Sequence, residues 1–234
     1  MKPRKVSITT LILICLVLIN TNFSQGKDSG HPEGLNKADE YIEQCKSSLE
    51  REDSEKAVEY AEKAIELNDS CSQYYYWLGR AYGLKAQQAA IFGKLSNAKK
   101  CKNAWLKAVE LDSENLAARI GLFNYYLQAP GIAGGGKEKA VKEAEEIINL
   151  DPVQGHIALA QLYESEKNYP EAEKEYIKAT QANPEDKDPF FNLGYYYQRQ
   201  EKYDQAEETF QNILNIDPNN KEAKEALNKI KDKR

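Results

Sequence analysis

The chain has 234 residues, with 32 Lys and Arg against 37 Asp and Glu, for a formal net charge of −5. About two-fifths of it is apolar, enough to bury a core, and the 29% that is charged interleaves both signs along the chain. Against that acidic total no basic stripe is read, so nucleic acid and anionic lipid are set aside as partners.

The first thirty residues differ from the rest. Lys2, Arg4 and Lys5 form a positive start, Val6 to Ile19 is apolar or small, and Asn20 to Gly30 turns polar and turn-rich. This is the three-part layout of a secretory signal peptide. The apolar run is shorter than the roughly 20 residues that cross a bilayer comfortably. Cleavage after Ser24 or Gly26 is expected, with an uncleaved anchor as the alternative. Cys15 follows Ile14, where lipidation needs a small residue, so a lipid anchor is not expected. Residues 1–26 are thus read as leader and 27–37 as a flexible linker. Beyond it Cys45, Cys71 and Cys101 are an odd set, expected to remain free thiols.

From residue 38 onward one pattern recurs. It begins weakly with Tyr41 and Cys45, then Ala57, Ala61 and Ala64 before Ile-Glu-Leu-Asn. Tyr75, Leu78, Gly79 and Tyr82 come next, followed by Cys101, Trp105 and Ala108. The third unit has Leu122 and Tyr126, then Ala140, Ala144 and Asp151-Pro152. The fourth has His156, Leu159, Ala160 and Tyr163, then Ala172, Tyr176, Ala179 and Pro184. The fifth has Phe190, Leu193, Gly194 and Tyr197, then Ala206, Phe210 and Pro218. Ala172 and Ala206 are 34 residues apart. Each half-unit is a helix by its three- and four-residue spacing, and X-Pro pairs end the second helices.

This series resembles the tetratricopeptide repeat, whose signature is a large aromatic, Leu-Gly and Tyr, then Ala, an aromatic and Pro. The resemblance implies an all-α fold, a right-handed superhelical solenoid of about five helix-turn-helix repeats over 38–220. Residues 221–234 would form a C-terminal capping helix. No single pair can bury its apolar face alone, so stacked neighbours must supply the stability.

Two stretches depart from the period. Between Tyr82 and Cys101 the second unit carries ten extra residues, read as two lengthened helices meeting at a tip, where Ile91 and Phe92 are candidate contacts. Between the helices of the third unit lies QAPGIAGGGKEKA, where Pro130 and the glycines forbid helix. This Ala-Pro-Gly insertion and the long repeat before it resemble a group of exported bacterial tetratricopeptide proteins, which brings no activity with it. Gly131 and Gly136-Lys137 match the glycine-lysine spacing of a phosphate loop. Yet Glu138 stands where Ser or Thr would hold magnesium, and no strand precedes the loop.

No catalytic constellation is found. His31 and His156 are far apart, His156 sits at a packing position, and no metal-ligand spacing or nucleophile elbow occurs. No enzyme activity, cofactor or metal is expected. By the repeat geometry, Tyr76, Arg80, Asn124, Ile157, Gln161, Phe191, Tyr195 and Arg199 should face the concave side, and aromatics with Arg suit binding anchors. They do not match the carboxylate-clamp pattern, since Ile120, Ile157 and Phe191 stand where it needs cations. The function expected is an exported, periplasmic or extracytoplasmic scaffold holding a peptide or partner helix. Ile132 and Lys137 are further candidate contacts on the loop. The alternatives are a small-ligand or anion site on the 130–137 loop and a membrane-associated spacer.

Overall fold

The computed structural model describes residues 33–233. The expected leader, its cleavage sites, Cys15 and His31 lie outside the described residues, as do the side chains of Ile91 and Phe92.

The described residues form eleven α-helices and no strand: α1 (Glu33–Glu50), α2 (Ser54–Leu67), α3 (Ser72–Gln88), α4 (Ile91–Leu111), α5 (Leu116–Gln128), α6 (Lys137–Leu150), α7 (Pro152–Ser165), α8 (Tyr169–Ala182), α9 (Lys187–Arg199), α10 (Tyr203–Ile216) and α11 (Lys221–Lys231). α1 begins at Glu33, inside the stretch read from sequence as linker. The extra residues of the second unit lengthen α3 to 17 residues and α4 to 21.

The helix ends follow from the sequence. Asp53, Asn115, Asp151 and Asn220 each accept a hydrogen bond from the backbone N–H three residues on, filling an orphan donor of the helix that follows. Asp151-Pro152 does double duty, ending α6 and starting α7 with Pro152 in its first turn, where a missing N–H costs nothing. Three turns within pairs share one geometry. Glu52, Lys167 and Glu201 have φ of 58°, 60° and 57°. In each case the next N–H (Asp53, Asn168, Lys202) donates to the carbonyl five residues back at 2.9 Å. The left-handed residue closes the first helix and reverses the chain.

The chain forms two units, one ending at Gly136 and one starting at Lys137. In the first, helices pack on their sequence neighbours from α1 to α5. Cys45, Ala57, Val58, Ala61, Ala81, Tyr82 and Cys101 are buried together, with Trp77 and Trp105 packed against them. Trp105 is the wedge. A Cβ on Gly79 would strike its indole, and one on Gly121 would come within 2.7 Å of the same ring. Two glycines, on α3 and α5, therefore let one indole from α4 join both helices.

In the second unit α6 to α11 pack in succession. One core runs through it, from Val153 and Ile157 through Ala172, Tyr176, Leu193, Tyr196, Ala206 and Phe210 to Ala223, Ala226 and Ile230. α11 buries Ala223, Ala226 and Ile230, packs Leu227 partly against the same core and turns its charged residues outward, closing the series against water.

Among the described residues Cys45, Cys71 and Cys101 form no disulfide. Burial pushes the Cys45 thiol up to about 12, with the charges of Arg80 and Lys46 pulling the other way. Its folded value is raised, so its contribution to stability is intact below the ordinary thiol range and lost as pH climbs toward 12. A protonated buried thiol is a poor nucleophile. Iodoacetamide at pH 8 is expected to modify half-buried Cys71 and spare Cys45; peptide mass spectrometry reads the difference.

Candidate partner-binding faces

The sequence-derived site residues fall in both units. In the first, α3 presents Tyr76, Trp77 and Arg80 within two turns. The Arg80 guanidinium carbon lies 5.0 Å from the Trp77 ring centroid, and Lys46 Nζ of α1 lies 5.1 Å from it. Tyr76 meets the same ring edge-on at 5.2 Å. Lys46 is paired with Glu43 at 2.5 Å. No carboxylate among the described residues lies within ion-pairing distance of Arg80. The Trp77 Nε1 donor is buried without a hydrogen-bond partner. This cluster can supply a cation, a flat apolar surface and a phenol to one ligand. Asn124 is half-buried on α5 and makes no side-chain hydrogen bond among the described residues.

In the second unit the predicted residues are more committed to each other. Arg199 holds Glu164 with two bonds, Nη2 at 2.7 Å and Nε at 3.3 Å. Tyr176 donates its hydroxyl to Glu164 as well, at 2.7 Å. Phe191 stacks on Tyr195 with ring centroids 6.1 Å apart, and Tyr195 donates to Glu222 of α11 at 2.8 Å. Burial, reinforced by that carboxylate, pushes the Tyr195 phenol up to about 12. Gln161 is half-buried. Ile157 differs from the sequence expectation: it is 7% exposed, one turn after Val153, and both pack into the core with α8 and α9. Its surface is unavailable to a partner.

His156 is not plain packing. Its Nδ1 lies 2.7 Å from Glu175, a carboxylate only 5% exposed that also receives Lys178 at 2.7 Å. The pair ties α7 to α8 and leaves neither carboxylate oxygen idle. Among the described residues no group of three or more His, Cys, Asp or Glu could hold a metal ion, and no helix is long and apolar enough to cross a membrane.

The glycine-rich loop is not a bare coil. Gly131–Ala133 forms one 3-10 turn, and Gly134 and Gly136 take φ of 85° and 151°, open only to glycine without strain. The amides of Ala133, Gly134, Gly135 and Gly136 donate to the carbonyls of Pro130, Gly131, Pro130 and Tyr126. A phosphate cradle needs those N–H groups pointing outward. Lys137 is occupied by Glu166 at 2.8 Å. These four loop amides and the Lys137 ammonium are thus engaged within the chain.

Sequence reasoning missed Lys46, Trp77, Glu164 and Glu222. Trp77 lies beside a repeat position, so its neighbours drew the eye, and the carboxylates carry no spacing signal.

Two profiles of the tetratricopeptide repeat family match, one over residues 163–230 and one over 45–104. The chain is built of tetratricopeptide repeats. Solved structures agree in fold. A thermophilic TPR protein from Thermus thermophilus aligns at 16% identity and TM-score 0.59, over 84% of this chain and 98% of its own. Pseudomonas aeruginosa pilF aligns at 17% identity and TM-score 0.58, over 82% of each chain. MamA from Desulfovibrio magneticus RS-1 aligns at 16% and 0.52, over 80% and 98%. No curated protein matches this chain in sequence.

Proposed function

We propose that this tetratricopeptide protein is a non-enzymatic interaction scaffold that works outside the cytoplasm, holding an extended peptide or partner helix on the faces of its first helices. The observation that supports this most is the α3 face: Arg80, without a carboxylate partner among the described residues, stacks on Trp77 with Tyr76 alongside. A guanidinium already held against an aromatic ring loses little freedom on binding, which favours a hot spot. Within the second unit, by itself, the Phe191–Tyr195 stack is a flat apolar surface beside a committed Glu222. Export rests on the leader pattern of residues 1–26, and the N-terminus of the protein recovered from cells, read by mass spectrometry, tests it.

The binding reading is tested by selecting peptides from a displayed library on the immobilised protein and measuring the best by calorimetry. Sequences rich in acidic and aromatic residues are expected, and Arg80→Ala should weaken them at least tenfold, about 1.4 kcal/mol. Equal affinity for wild type and Arg80→Ala would remove the α3 face from the reading.

A further inference from the structure

The whole-chain charge conceals a local reversal. Between Ser70 and Val109 there are seven basic residues, Arg80, Lys85, Lys94, Lys99, Lys100, Lys102 and Lys107, and no acidic one. That stretch is the long α3–α4 hairpin. Lys85 and Lys107 are neutralised by Glu55 and Glu110. Lys99 and Lys102 have no carboxylate within ion-pairing distance among the described residues; Lys102 instead lies over the Tyr125 ring at 5.9 Å.

These two lysines share a helix face with two apolar residues that ought to be inside. Leu95, Lys99, Lys102 and Leu106 follow at steps of four, three and four, one side of α4. Leu95 is 49% exposed and Leu106 40%. The glycine-rich loop comes up beside the stripe, because Lys102 Nζ would be 3.3 Å from a Cβ on Gly134. That loop carries Ile132, 92% exposed. Three of the six large hydrophobics exposed among the described residues therefore border unpaired lysines on one side of the first unit. The loop is pinned from behind by Tyr125, whose hydroxyl donates to the Ala133 carbonyl at 2.6 Å, so Ile132 is held out rather than free to fold back.

We propose that this α4 and loop surface is a docking face for an anionic lipid bilayer. Lysines with aliphatic side chains between them match the boundary between charged headgroups and acyl chains: the ammonium groups stay with the phosphates while Leu95, Leu106 and Ile132 enter the apolar edge. A nucleic-acid surface would have no use for three exposed aliphatic side chains and would favour arginine and aromatic rings, both absent from this stripe. The site is separate from the α3 face and does not depend on the peptide reading.

The test uses the full chain with phosphatidylcholine vesicles, with and without phosphatidylglycerol. An Ile132→Trp reporter is read against the parent's own tryptophan emission, which separates this site from any insertion of the apolar N-terminal segment. A blue shift on adding phosphatidylglycerol vesicles, reversed by salt, is expected. In the same background Lys99→Gln with Lys102→Gln should weaken the response about thirtyfold, since each lysine near an anionic surface contributes about a factor of five. Ile132→Ser, a change at a fully exposed tip that cannot unfold the protein, should lower vesicle co-sedimentation. An unchanged reporter spectrum overturns the proposal, as does equal response in the lysine variant. Salt-sensitive binding of duplex DNA, lost in the lysine variant while vesicles leave the reporter unmoved, also overturns it.

Discussion

Gly155→Ala is expected to destabilise the second unit by about 2–3 kcal/mol, although alanine is the better helix former by about 1 kcal/mol. Gly155 is buried in α7, and a Cβ there would lie 2.5 Å from the backbone nitrogen and 2.6 Å from the Cα of Ile148, besides striking its side chain. A rotamer change cannot relieve a clash with backbone, so α6 and α7 must separate and lose contacts over their shared face. Gly83→Ala is the matched comparison. Its Cβ would meet only Cys101 Sγ at 3.6 Å, an ordinary contact. There the propensity gain should stand alone and the protein should become slightly more stable. Native-state amide exchange in α6 and α7 for one variant, and in α3 and α4 for the other, reads the difference. Equal behaviour of the two would mean that close approach does not govern the α6–α7 pair.

The repeat was legible because its packing positions are chemically narrow. Gly79, Ala160 and Gly194 sit where a second helix approaches, and Ala172 and Ala206 answer from the other side. All five are buried as the spacing requires. Gly155 and Gly121 carry the same physics outside the consensus, and only coordinates reveal what they touch. The reversing turns were silent for a different reason. Their left-handed residues are Glu52, Lys167 and Glu201, not glycines, so the strain of each is absorbed by the hydrogen bond that follows it. Ile157 shows the limit of counting faces. The helical wheel places it beside a packing position, and the depth of the groove between α7 and α9 decides whether that neighbour sees solvent.

The whole-chain charge averages over a local reversal. A net −5 is compatible with forty residues that have no carboxylate, because α1, α2 and the second unit are strongly acidic. Electrostatic attraction acts over about a Debye length, roughly 10 Å, so a face is what a partner senses and not the whole-chain total. The same averaging hid the pairing of Arg199. From sequence it was an anchor, whereas Glu164 on α7 has already claimed its two-pronged donor set. Arg80 and Lys99, by contrast, have no carboxylate within ion-pairing distance among the described residues.

Phe210→Ala is expected to have the largest effect of any single change, about 3–5 kcal/mol, since it empties a fully buried ring site. The ring touches more than the core. It lies 5.2 Å from Tyr195 and 6.3 Å from Phe191, so the stack offered to a partner rests on it. It also explains the glycine opposite. All three nearest atoms to a Cβ on Gly194 belong to Phe210, the closest at 2.7 Å. Gly194→Ala should therefore be costly in the wild type, because the ring cannot retreat. In the Phe210→Ala background the same change meets only empty space and partly refills it. The two substitutions are expected to couple favourably by about 1–3 kcal/mol in a double-mutant cycle, measured as urea stability with amide exchange in α9 and α10. Additive costs would mean that backbone approach between α9 and α10, and not the Phe210 ring, dictates glycine at 194.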